Sequence, residues 1–143
     1  EAAMQALKNQ GFDVIWANGV NETGLPFDLL VRPAGGRQPW PPALAALSQH
    51  KGVQGKAHSV REIEAALTRS PEVAVVEVKA SLAAARGDVF DISASQMSMA
   101  QRLGSRYWLA LVRKLAEGAG RLQVLKDMDK GVREGRVKLL LVA

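Results

Sequence analysis

The chain has 143 residues, 48% of them hydrophobic, enough to bury a core of ordinary size in a single domain. It holds no cysteine, which excludes disulfides and thiolate metal sites, and its two histidines, His50 and His58, lie in a polar stretch unlike a zinc centre. Nineteen basic residues stand against 14 acidic ones, a formal charge of +5, which favours an anionic partner, nucleic acid foremost. No apolar run approaches the roughly 20 residues that cross a bilayer, so no membrane partner is expected. There is no signal-peptide pattern, and the acidic first residue reads as that of an excised piece of a larger parent protein.

In chain order, Ala2 to Gln10 predicts a helix with Met4 and Leu7 on its apolar face and Gly11 as its stop. Phe12 to Trp16 predicts a strand, residues 18–24 a turn-rich connection, and Phe27 to Arg32 a second strand with Pro26 at its start. Pro33 to Pro42 is punctuation around Trp40. Ala43 to Leu47 reads as a short helix, and Ser59 to Thr68 as a longer one with Ser59 and Glu62 as its capping box. Val73 to Lys79 is a strand, Ser81 to Gly87 a small-residue turn, and Phe90 to Ile92 a short strand. Ser93 and Gln96 then match the S-x-x-Q box that opens a helix ending at Gly104. Strands follow at Tyr107 to Val112, Arg121 to Leu125 and Val137 to Val142. This order predicts an α/β domain, a mixed central sheet flanked by helices.

The chemistry concentrates in Asp28 and in Glu77-Val78-Lys79. Side chains alternate along a strand, so Glu77 and Lys79 share a face and Val78 points the other way. Val73 to Val76 is wholly apolar, as in a central strand covered on both faces, so the charges at its end stand at a sheet edge or in a site. Two carboxylates with an adjacent lysine are the minimal apparatus for holding Mg²⁺ and activating a water against a phosphodiester. The plainer alternative is a strand-end salt bridge from Lys79 to Asp28 or Glu77, contributing roughly 0–1 kcal/mol if exposed. Asp13 and Asp91 read as strand-end or turn residues.

Several blocks follow one another in a familiar order: Val14-Ile15-Trp16-Ala17-Asn18, Asn21 to Leu29, Glu77-Val78-Lys79-Ala80-Ser81 and Phe90-Asp91-Ile92-Ser93, continued by Gln96, Ala100 and Tyr107-Trp108-Leu109. Together they resemble the NO VEIN C-terminal domain family, which is placed with the restriction-endonuclease-like, PD-(D/E)XK fold class. The resemblance implies a nuclease-like domain over residues 1–143 with an insertion within 34–70. It implies Asp28 and Glu77 as ligands of Mg²⁺ or Mn²⁺, with the Val78 carbonyl beside them, and Lys79 as the residue that assists the nucleophilic water. Mg²⁺ takes oxygen ligands and keeps several waters, which suits such a set. Many relatives add a Glu on the first helix, for which Glu1 fits imperfectly. Related domains usually carry Glu where this chain has Gln96, which keeps the cap and removes a charge.

Arg86, Arg102 and Arg106 are candidates for phosphate contacts, which would position a nucleic acid without reading it; Arg102 and Arg113 fit a solvated surface equally well. Trp16 and Trp108 read as core, and Trp40, between prolines, as an exposed anchor. The expected function is Mg²⁺-dependent hydrolysis of phosphodiesters, DNA before RNA, in an intracellular setting, nuclear in a plant-type parent and otherwise cytoplasmic. Two alternatives stay open: an inactive nucleic-acid-binding module on the same fold, and a protein-interaction appendage that uses Trp40.

Overall fold

The computed structural model describes residues 2–17, 25–36, 38–49, 60–81, 89–114, 120–135 and 138–142. The chain is mixed α/β, as its sequence order implies. The larger sheet has the strand order β1(Phe12–Trp16), β2(Leu29–Pro33), β3(Ala74–Ser81), β5(Tyr107–Lys114), β6(Gly120–Leu125), and a second sheet pairs β4(Val89–Ser93) with β7(Lys138–Val142). Two compact units divide the chain, Glu1–Val75 and Val76–Ala143, and β3 runs through the boundary.

In the first unit, α1(Ala2–Asn9) buries Ala3 and Leu7, and its exposed end is closed by Gly11 at φ +93°, a conformation that glycine adopts without a Cβ penalty. β1 and β2 pair antiparallel from Phe12↔Pro33 to Trp16↔Leu29. β2 starts two residues later than its apolar run suggests: Phe27 and Asp28 precede it, where Pro26 lacks an N–H for the ladder. One further rung survives there, because Ala17 N donates to the Asp28 carbonyl at 2.8 Å. The unit continues through α2(Pro42–Ala45), a 3₁₀ turn at Ala46–Gln49 and α3(Val60–Thr68). The expected cap of α3 at Ser59 lies outside the described residues. Phe27, Leu30, Leu44, Leu47, Ile63 and Leu67 are among its fully buried side chains.

In the second unit, β5 and β6 form an antiparallel hairpin, Leu109↔Leu125 to Lys114↔Gly120. β4 and β7 run parallel, Val89↔Lys138 to Ser93↔Val142. Between β4 and β5 lies α4(Ala94–Leu103), followed by a 3₁₀ turn at Gly104–Arg106; α5(Met128–Arg133) follows β6. Ile92, Met99, Tyr107, Leu109 and Met128 are fully buried. α5 has no counterpart among the elements expected from the sequence. Asp127 caps it, accepting from Lys130 N at 3.0 Å, and Gly131 sits where a Cβ would press on Leu125.

The N-terminus of α4 is the best defined local structure. Ser93 Oγ accepts from Gln96 N at 3.2 Å, and Gln96 Oε1 accepts from Ser93 N at 3.0 Å, which satisfies two backbone donors reciprocally. Ser93→Ala removes one of these bonds and is expected to lower stability by about 1 kcal/mol, read as an earlier urea midpoint with unchanged slope. Gly104, at φ +57°, ends the helix at the stop expected from the sequence.

Candidate functional site

β3 delivers the central residues. Val73 through Val76 are all buried, as a covered central strand requires, and Glu77 follows them inside at 6% exposure. It is the only charged residue among the buried side chains described. A carboxylate there is costly unless charge and hydrogen bonds answer it. Lys79 lies two positions along on the same face, its Nζ 3.6 Å from Glu77 Oε1, with 20% of its side chain exposed. Gln96, on the first turn of α4, donates from Nε2 to Glu77 Oε1 at 2.7 Å and accepts from Lys79 Nζ on Oε1 at 3.3 Å.

The centre is therefore a triangle of carboxylate, ammonium and carboxamide, all within the second unit. The alternation rule anticipates the Glu77–Lys79 pair. The contribution of Gln96 to it is not visible as a local pattern, because the residue is 17 to 19 positions away. The capping-box signal places the side chain at the helix start, and only the packing of α4 aims it at β3. Its amide is thereby shared between the helix cap and the polar centre.

The other candidates are placed as follows. Asp28 is half-buried in the bend before β2, in the first unit. Val78 is half-buried on the opposite face of β3 from Glu77. Arg102 is exposed and donates to Ser98 Oγ at 2.7 Å, while Arg106 is half-buried in the 3₁₀ turn after α4. Arg86 and Glu1 lie outside the described residues, as do His50 and His58. Trp108 is buried as expected, with Nε1 donating to the Ser105 carbonyl at 2.9 Å; Trp16 is only half-buried.

Trp40 is not the freely exposed anchor that its flanking prolines suggested. It is half-buried, and the Arg32 guanidinium lies 4.2 Å from its ring centroid. Arg32 Nε also faces Asp13 at 3.6 Å, and Nη2 donates to the Gln38 carbonyl at 2.8 Å. Asp13 thus serves an ion pair on β1, in line with its strand-end reading, and Asp91 is exposed on β4.

The donor set bears on which cation these residues suit. Among the described residues no group of three or more His, Cys, Asp or Glu gathers, so neither a zinc-type cage nor a cluster of carboxylates is present among them. A buried carboxylate next to a strand carbonyl supplies only oxygen donors, the type taken by Mg²⁺ or Mn²⁺, and Mg²⁺ is commonly held by one or two carboxylates with waters completing its shell. Glu77 supplies one carboxylate of that type, with the Lys79 ammonium beside it.

These features define an α/β domain with a buried Glu-x-Lys centre on a central strand, buttressed by the capped start of a helix. The family model described as "Protein NO VEIN, C-terminal" matches residues 53–125, just over half of the chain, and the chain belongs to that family. The matched stretch contains Glu77 through Lys79, Ser93 and Gln96, and begins after Asp28. Searches of the curated proteins and of the solved structures returned no match.

Proposed function

We propose that this domain is a Mg²⁺- or Mn²⁺-dependent phosphodiesterase of the restriction-endonuclease-like, PD-(D/E)XK type, acting on nucleic acid and on DNA first. The observation that carries the proposal is the buried Glu77 carboxylate with the Lys79 ammonium on the same strand face. A protein that needed only a stable sheet gains little from such a pair, because well-packed apolar residues in its place are often as stabilising. Glu77 and the Val78 carbonyl would hold the metal; Asp28 enters as a further ligand on the resemblance alone. When bound, the ion would polarise the phosphoryl oxygen and lower the pKa of its water. Lys79 would orient that water and offset negative charge developing on the phosphate. Arg86, Arg102 and Arg106 would take phosphate contacts along the substrate.

Supercoiled plasmid incubated with the purified chain should be nicked in Mn²⁺ or Mg²⁺ and left intact in EDTA. Absence of nicking in either ion, with plasmid demonstrably bound, would overturn the catalytic proposal and favour a second reading.

That second reading is a nucleic-acid-binding module without catalysis. It draws support from the neutral Gln96 and from the Gln96 hydrogen bond and the Lys79 ion pair on Glu77 Oε1, which answer the carboxylate within the protein. It predicts binding that weakens steeply with salt and is indifferent to divalent metal at constant ionic strength. Trp40, which a protein-interaction role would use, is half-buried with the Arg32 guanidinium over its ring.

A further inference from the structure

We infer that the cavity at the end of β2 binds a guanine base, with Arg32 donating to one edge of the base and Glu72 accepting from the other. The cavity lies within the first unit, encloses about 400 Å³ and is lined by residues 32–36, Gln38 and Glu72. That volume falls within the roughly 300–1,000 Å³ of small-molecule sites. Neither Glu77 nor a metal takes part.

Arg32 is held in place but only partly engaged. Its side chain is 11% exposed, its guanidinium lies 4.2 Å from the Trp40 ring centroid, and Nη2 donates to the Gln38 carbonyl at 2.8 Å. Nε is buried and faces Asp13 at 3.6 Å without a hydrogen bond. A guanidinium carries five N–H donors in a planar fork, so terminal donors beyond the Gln38 bond remain for a ligand. Glu72, two residues before β3, is exposed and has no hydrogen bond or ion pair among the described residues. Two glycines complete the lining. Gly35 adopts φ +89°, which favours glycine, but Gly36 does not, and a Cβ added there would meet nothing within 4 Å. Bare backbone at Gly36 therefore leaves the cavity open to a flat ring.

The charges select the class of ligand. Asp13 already answers the Arg32 charge and Glu72 adds a negative one, so there is no surplus positive charge to draw a free phosphate or carboxylate. A neutral ligand with acceptors on one edge and donors on the other fits instead. Among the bases, guanine sets two adjacent acceptors, O6 and N7, on one edge, which suits the arginine fork. Adenine puts an amino group beside N7, cytosine presents an amino group, and thymine offers a single acceptor. The N1–H and N2 amino groups on the far edge of guanine match a carboxylate, which only accepts.

The test is run in EDTA, so its outcome is separable from that of the metal-dependent reading. Calorimetric titration of the full chain with GMP, AMP, CMP and UMP should show GMP binding at least about tenfold more tightly than the others, as one bidentate pair provides. Gly36→Leu, which fills the cavity, and Glu72→Ala, which removes the acceptor, should each weaken GMP binding by about tenfold or more. Circular dichroism and urea midpoints should stay as in the parent chain for both, and inorganic phosphate should not compete. A guanine-containing single-stranded hexanucleotide that binds more tightly than GMP assigns the cavity to nucleic acid, and the reverse order assigns it to free guanine nucleotides; both uphold guanine recognition. Equal binding of the four nucleotides, binding of none, competition by phosphate, or undiminished GMP binding by both folded variants overturns it.

Discussion

Glu77→Gln is expected to abolish metal-dependent cleavage while leaving the fold nearly as stable as the parent. The substituted amide keeps an oxygen that can accept from Gln96 Nε2 at the 2.7 Å position and gives up only the charge that would hold the ion. Glu77→Ala should also abolish cleavage but is expected to lower stability by about 2–3 kcal/mol, because it leaves the Gln96 carboxamide nitrogen without this acceptor and deprives the Lys79 ammonium of its countercharge in a largely buried place. Lys79→Ala should cut the rate by about 10²–10³, the usual loss for one electrostatic donor at a reacting phosphoryl or acyl group. It also leaves the buried carboxylate with less to answer it, so some loss of stability accompanies the loss of rate. Cleavage assays paired with urea unfolding of all three variants separate chemistry from structure. Full activity in Glu77→Gln would refute the site.

Phe27→Ala is expected to destabilise the fold more than any of these three changes, by about 3–5 kcal/mol. The ring is fully buried next to half-buried Asp28, at the point where the chain enters β2. Removing it deletes a large apolar surface and leaves a cavity that the surrounding core fills only in part. Phe27→Leu should cost less than about 1.5 kcal/mol, since most of the volume is kept. The comparison of urea midpoints checks both figures. A loss below about 1 kcal/mol for Phe27→Ala would show that this corner of the first unit repacks freely.

Much of the architecture is legible in the sequence because its signals are local. The strand Phe12 to Trp16 matches its expected bounds residue for residue, and both ends of α4 follow from the Ser93–Gln96 box and Gly104. The pairing of Glu77 with Lys79 follows from strand alternation. Where expectation and structure part, the deciding contacts are distant or the element is short. α5 has six residues with a glycine inside, too little periodicity to register, and Asp127 is its one readable sign. Trp40 reads as exposed because prolines flank it, yet Arg32 from β2 covers one face. Gln96 is legible as a cap, but its reach to Glu77 depends on how α4 packs against β4 and β5. The resembling blocks in the sequence start at Val14, whereas the family match begins at residue 53, so Asp28 rests on the resemblance alone.

The parallel pairing of β4 with β7 carries a consequence for how the domain is made. Ser93, which caps α4 and orients Gln96, is the register partner of Val142. During synthesis β4 and α4 leave the ribosome well before β7 exists, and a parallel pair closes only through a long crossover. Until then β4 has an unpaired edge on the side β7 will take, and the cap that aims Gln96 lacks its neighbouring strand. A nascent or proteolysed chain ending at Leu125, where the family match ends, would hold Glu77, Lys79 and Gln96 without the strand that pairs with Ser93. The β4–β7 pair beside the α4 cap thereby waits on synthesis through residue 142.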